Sequence, residues 1–171
     1  MNLRKFIKNE VYKSFKENLN QQKHELPEYW YHGTNKKFDK LSLDNMGKNW
    51  KQSEIGIYFS QYFKPGIYGS TAKEYAEDLV IREGGKPYVY KCKIHTKNPL
   101  ILNSDGWYSS NTYIDKNRND IKRWMATDGN DCVISYNFKN KQEEGLKWGD
   151  YILATNNLDI IEIVDIFDLE N

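Results

Sequence analysis

The sequence predicts an α+β domain, and three observations carry that expectation. Apolar residues recur at helical spacing in two stretches, one at the N-terminus and one after the second strand. Between and after them lie many short alternating or aromatic runs, bounded by Gly, Pro and Asn, that read as strands. No regular β-α-β alternation connects these pieces. The 171 residues are enough for one domain with a sizeable core and too few for two independent ones.

In chain order, Leu3, Phe6, Ile7, Val11, Phe15 and Leu19 form a stripe of helical spacing with Lys and Glu between them. The polar run before Pro27 ends that helix, so residues 1–26 read as a helical extension and residues 27–171 as the main domain. EYWYHG at 28–33 reads as a strand, with Trp30 and His32 on one face and Tyr29 and Tyr31 on the other. IGIYFS at 55–60 is a second strand. Ala72, Tyr75, Ala76 and Leu79 then recur at i, i+3, i+4 and i+7, a short amphipathic helix within residues 70–81.

After the GGKP turn at 84–87, YVYKCKIH alternates as a half-buried strand, and Lys97-Asn98-Pro99 separates it from LIL. Residues 103–131 are polar, with IKRWM at 121–125 the one expected helical turn. CVISY at 132–136 is a strand and residues 137–149 a long loop. The tail reads as two strands broken at Asn156-Asn157.

Composition narrows the function classes. Hydrophobic residues at 39% and aromatics at 15% exclude wholesale disorder, and no run is apolar enough to span a membrane. A formal net charge of +1 leaves no global field that draws the chain onto nucleic acid or anionic lipid. The two cysteines, Cys92 and Cys132, form no C-x-x-C pair, and the N-terminus lacks the apolar core of a secretion signal, so a cytoplasmic protein with reduced thiols is expected. Its histidines, His24, His32 and His95, have no zinc-site spacing, and no phosphate-binding glycine loop occurs.

Three separated segments then line up in a telling order: YHGT at 31–34, GIYFS at 56–60 with the AKEYA helix at 72–76, and the closing DYILATNNLDIIEI. Together they strongly resemble ADP-ribosyltransferases of the His-Tyr-Glu type, which includes diphtheria toxin and the poly(ADP-ribose) polymerases. YKCKIHTKNPL at 90–100 and NDCVI at 130–134 look most like the small phage and bacterial members. The resemblance spans about Tyr29 to Ile166. It implies a split β-sheet core of short strands, NAD as co-substrate, and a macromolecular acceptor, protein or nucleic acid. It further implies transfer of ADP-ribose inside a bacterial or phage-infected cell, in phage–host conflict or as an intracellular toxin.

Residue by residue, the resemblance implies that His32, Gly33 and Thr34 bind NAD. The imidazole would bond a ribose hydroxyl, and the bare Gly33 backbone would reach the nicotinamide carboxamide. Taken alone, His32 reads as a half-buried strand histidine. Tyr58 matches the second-strand tyrosine and Tyr75 the helix tyrosine that stacks on nicotinamide, where a cationic ring is well held by aromatic faces. Tyr75 also fits a plain core position on its apolar stripe. The serine often used for the carboxamide is replaced by Ala72, which leaves Ser70 or Thr71 to supply that bond. Lys36, Lys37, Lys40, Lys48 and Lys51 thicken the segment that in the family runs beside the adenine and phosphates, or form a solvated lysine-rich loop.

The departure lies in the third element. Where the family opens a late strand with glutamate, this chain has Asp150. Nicotinamide leaves as a neutral molecule, so the site needs no general acid but does need one carboxylate aimed at the charge developing on the sugar. Aspartate keeps that charge and shortens the reach by about 1.5 Å, a misplacement of the size that costs roughly 10²-fold in rate. The implied catalytic set is therefore His32, Tyr58 and Asp150, with Glu144 as a second carboxylate: Gln142-Glu143-Glu144 matches a Gln-x-Glu that some members carry in the loop meeting the target. Glu143 and Glu144 also read as a solvated acidic pair, and Asp150 as a turn aspartate after Gly149. Two other readings stay open beside the transferase, an NAD glycohydrolase and a weakened NAD- or ADP-ribose-binding module. Should the resemblance be accidental, a small interaction domain remains, with its N-terminal stripe available to a partner or antitoxin.

Overall fold

A computed structural model of the chain describes residues 26–44, 54–63, 71–104, 110–137 and 150–170, to which every structural statement below refers. The N-terminal stripe and the loop carrying Glu143 and Glu144 lie outside them, as does Ser70. The described residues are mixed helix and sheet. In order they form β1 (Trp30–Thr34), β2 (Ile57–Ser60), α1 (Ala72–Glu83), β3 (Tyr88–Ile94), β4 (Pro99–Asn103), α2 (Ser110–Asp128), β5 (Cys132–Asn137), β6 (Asp150–Thr155), a 3-10 turn at Leu158–Ile160, and β7 (Ile161–Asp168).

The strands make one seven-stranded sheet in the order β4-β5-β6-β2-β1-β3-β7. Only β4 and β5 run parallel, because α2 connects them; the other neighbours are antiparallel. At the centre, β1 and β2 pair at a single register, Tyr31 with Ser60. Elsewhere pairing is continuous: β1 matches β3 from Trp30–Cys92 to Thr34–Tyr88, and β2 matches β6 from Ile57–Thr155 to Ser60–Ile152.

Both helices lie on one face. Ala72 and Ala76 of α1 pack on Val89, Tyr31 and Phe167, while Ile114, Ile121 and Met125 of α2 pack on Leu100, Leu102, Val133, Ile152 and Ala154. Trp30, Phe59, Tyr90, Cys92, Ile134 and Leu153 make a second core on the opposite face, where Leu26, Phe38, Leu41 and Ile160 reach it from outside the strands. Cys92 and Cys132 are buried free thiols whose burial pushes them up to about 12, which leaves them protonated and unreactive.

Local chemistry explains the shorter elements. Helix α1 begins on a capping box: the Thr71 hydroxyl accepts the Glu74 N–H at 3.2 Å and the Glu74 carboxylate accepts the Thr71 N–H at 3.0 Å. Its start lies so close to β1 that a Cβ on Gly33 would fall on the Ala72 carbonyl oxygen. Gly56, with φ +152°, likewise lets β2 pass against the Thr155 backbone.

One element differs from the sequence expectation. The single turn expected at 121–125 is the middle of a 19-residue helix, Ser110–Asp128. Its buried stripe is sparse, with Asn117 and Arg118 between Ile114 and Ile121, so periodicity is too weak to reveal it, and packing on the sheet stabilises a helix that propensity alone would not. Smaller shifts follow the same logic: β1 begins at Trp30 and β2 at Ile57, after Tyr29 and Gly56.

Asp131 ties the C-terminal end of α2 to the β3–β4 turn. Its carboxylate accepts from the Thr96 hydroxyl and from the backbone N–H groups of Lys97 and Asn98, and the Asn98 amide caps the Asp128 and Gly129 carbonyls. Burial alone would raise the Asp131 pKa, yet these hydrogen bonds outweigh it and hold the group below its ordinary 3.8. Asp131 therefore stabilises the fold fully above pH 3.8 and loses that contribution as pH falls through its native value. Asp131→Asn is expected to lower stability by about 1–2 kcal/mol at pH 7, and by progressively less as pH falls below 3.8, measured by urea unfolding. Gly33→Ala is expected to cost about 3 kcal/mol in the same assay, because α1 must move away from β1.

Candidate functional site

Of the site residues expected from the sequence, His32, Gly33, Thr34 and Tyr58 lie where β1 and β2 part. Past the Tyr31–Ser60 register the ladder stops, and a side chain bridges the strands instead: His32 Nδ1 donates to the Tyr58 carbonyl at 2.9 Å. That bond fixes the tautomer with the proton on Nδ1 and leaves Nε2 an unprotonated acceptor with no hydrogen-bond partner among the described residues. The ring is half-buried between Phe59 at 5.7 Å and Phe38 at 6.4 Å. Burial pushes its pKa below 6.5, against the opposing effect of the Tyr58 hydrogen bond.

Tyr58 is half-buried and packs with the α2 core on the helical face. Burial raises its phenol pKa, the charge of Asp115 adds to this and Arg118 opposes it, so Tyr58 acts as a neutral ring and hydroxyl. Asp115 and Arg118 are themselves paired at 3.3 Å. They belong to the helix that hydrophobic periodicity missed, yet the chain carries a signal for them: Asp115/Arg118 and Asp120/Arg123 repeat acid and base at i, i+3, which suits a helix surface.

Gly33 and Thr34 close β1. Gly33 is buried under α1, so its bare backbone is first a requirement of helix packing. Thr34 is 8% exposed and its hydroxyl accepts the Lys36 N–H at 3.3 Å. Thr71 is used as the helix cap, and its hydroxyl hydrogen is directed to Glu74 at 3.2 Å, so in this conformation it offers a carboxamide no donor. Tyr75, one turn on, is 37% exposed, which separates it from the buried stripe of Ala72, Ala76 and Leu79.

Asp150 opens β6 opposite Asn137 of β5. It lies three residues before Leu153, the partner of Phe59, which is about 10 Å along the strand. Next to it the β2–β6 pairing is prolonged by Gln61, whose N–H donates to the Tyr151 carbonyl at 3.3 Å and whose side chain accepts the Tyr151 N–H at 3.0 Å. The sheet thus brings the His32 ring against the Tyr58 main chain, with the two side chains on opposite faces, and places α1, with Tyr75, over Gly33 on the Tyr58 face. Among the described residues no group of His, Cys, Asp and Glu could hold a metal ion, and no helix is long and apolar enough to cross a membrane.

The neutral imidazole has a measurable consequence. The unfolded chain takes up a proton on His32 near pH 6.5 while the folded chain does so only at lower pH, so the neutral ring contributes stability above 6.5 that is lost as pH falls through the native value. Nitrogen-15 NMR at pH 6.5 is expected to find His32 mostly neutral with the proton on Nδ1; a ring more than half protonated there would contradict this geometry.

Comparison of the chain with protein-family models, with curated proteins and with solved structures found no match, so the functional reading rests on the residues and geometry above.

Proposed function

We propose that this chain is an NAD-dependent ADP-ribosyltransferase, which cleaves the bond between nicotinamide and ribose and transfers ADP-ribose to a macromolecular acceptor. The observation that carries the reading is the His32–Tyr58 bond at 2.9 Å, which presents Nε2 as a fixed acceptor at the opening between β1 and β2. A ribose hydroxyl is a donor of the kind that such a nitrogen takes. The single-register junction of β1 and β2 suits the split sheet implied by the sequence resemblance, and the half-exposed ring of Tyr75 suits stacking on a flat cation.

NAD supplies its own leaving group, since nicotinamide departs neutral from a cationic pyridinium while the bond to an acceptor nucleophile forms and that nucleophile loses its proton. The protein's part is to hold and orient. His32 accepts from the sugar, Tyr58 stays a neutral phenol, and Asp150, at the mouth of β6, supplies the carboxylate that stabilises positive charge on the ribose. Glu144 is the second carboxylate of the proposal. Aspartate in place of glutamate favours one alternative, a weakened module that binds NAD without turnover.

The test is nicotinamide release from NAD by wild type, His32→Ala and Asp150→Ala, each with and without cell lysate. Release that both substitutions abolish and that lysate accelerates is the expected outcome, and Asp150→Glu should raise the rate by up to roughly 10²-fold as reach is restored. Release indifferent to lysate selects the glycohydrolase. Absence of release, with NAD still raising the melting temperature, leaves the binding module.

A further inference from the structure

On the sheet face opposite the helices, the residue across the ladder from His32 is Tyr90 of β3. Its hydroxyl makes two hydrogen bonds to one residue, accepting the Phe38 N–H at 2.7 Å and donating to the Phe38 carbonyl at 2.8 Å. The Phe38 ring stacks on the Tyr90 ring at 4.3 Å and 7° and stands 6.4 Å from the imidazole of His32. The same segment is anchored again upstream, where the Asn35 amide donates to the Gly84 carbonyl at 2.9 Å and the Asn35 carbonyl accepts the Lys86 N–H at 3.1 Å.

Tyr90 is 0% exposed, and phenylalanine would fill that volume without a polar group to satisfy. The hydroxyl therefore has a role other than packing, and its two bonds say which: they fix the main chain on both sides of Phe38 and so fix where its ring stands. An imidazole that turns about two side-chain bonds is held by one hydrogen bond to Tyr58 and by its two aromatic neighbours, Phe59 at 5.7 Å and Phe38 at 6.4 Å.

We propose that Tyr90 is a positioning residue for His32, acting through Phe38 to keep the imidazole in one orientation and one tautomer, with Nε2 free to accept. The role of that nitrogen toward NAD rests on the function proposed above; the positioning itself does not. Loss of the clamp lets the Phe38 segment move, the ring turn off the Tyr58 carbonyl, and the two tautomers exchange.

The full chain, labelled with nitrogen-15, is compared as wild type, Tyr90→Phe and Ile121→Val, the last a mild core change in α2 on the other face. In wild type and Ile121→Val, His32 is expected to give one tautomer with the proton on Nδ1. In Tyr90→Phe its two nitrogen signals are expected to move toward each other, and its ring protons to lose the shift imposed by Phe38. NAD affinity, measured by calorimetry on the same samples, should weaken about tenfold in Tyr90→Phe as preorganisation is lost. An unchanged His32 signature in Tyr90→Phe overturns the proposal, as does an equal change in Ile121→Val. A changed signature in a protein whose wild type binds no NAD upholds the positioning role and overturns the NAD reading instead. Should Tyr90→Phe not fold, Phe38→Leu removes the wall while keeping the hydroxyl, and the same two signatures decide.

Discussion

The bond between His32 Nδ1 and the Tyr58 carbonyl joins the two halves of the sheet where the backbone ladder gives way. Four strands lie on the β2 side and three on the β1 side, and one ladder register connects them. A central strand pair that opens leaves backbone groups to be satisfied by something other than its neighbour, and a side chain that takes one of them becomes structural and chemically defined at once. Burial favours the neutral imidazole, its proton is on Nδ1 because a carbonyl faces that atom, and its other nitrogen is thereby an acceptor.

The rest of the fold supplies the surroundings of that bond. Helix α1 can seat against β1 because Gly33 has no side chain, and its capping box sets where the helix begins and so where Tyr75 falls. Helix α2 covers the β4–β6 half and brings a charged pair toward the Tyr58 ring. Asp131 fastens the far end of α2 to the β3–β4 turn, which keeps the parallel β4–β5 pair in place. Helices α1 and α2 therefore sit on the Tyr58 face and the 35–41 segment on the His32 face.

The strands were legible because their signals are local. YVYKCKIH, CVISY and the tail broken at Asn156-Asn157 alternate or end on turn residues, and each is a strand in the structure. Helix α1 was legible from its spacing, although Tyr75 left the buried stripe, because periodicity at one turn's resolution does not say how wide the covered face is. Helix α2 was not legible: three buried apolar residues in a 19-residue helix, with Asn117 and Arg118 between Ile114 and Ile121, resemble a polar loop. The clamp of Tyr90 on Phe38 joins residues 52 apart and has no sequence signature at all.

By itself the sequence determined the order and kind of most elements and placed His32, Gly33 and Tyr58 on strands, since hydrophobic alternation, turn residues and helix spacing act over a few residues. Tertiary structure alone decided that β1 and β2 meet and then part, that His32 bridges the gap to Tyr58, and that Asp115, Arg118, Phe38 and Tyr90 stand around them. Those outcomes depend on which strands become neighbours and in what register. Such pairing is fixed by burial and hydrogen bonding between residues distant in the chain, and local preference carries no record of it.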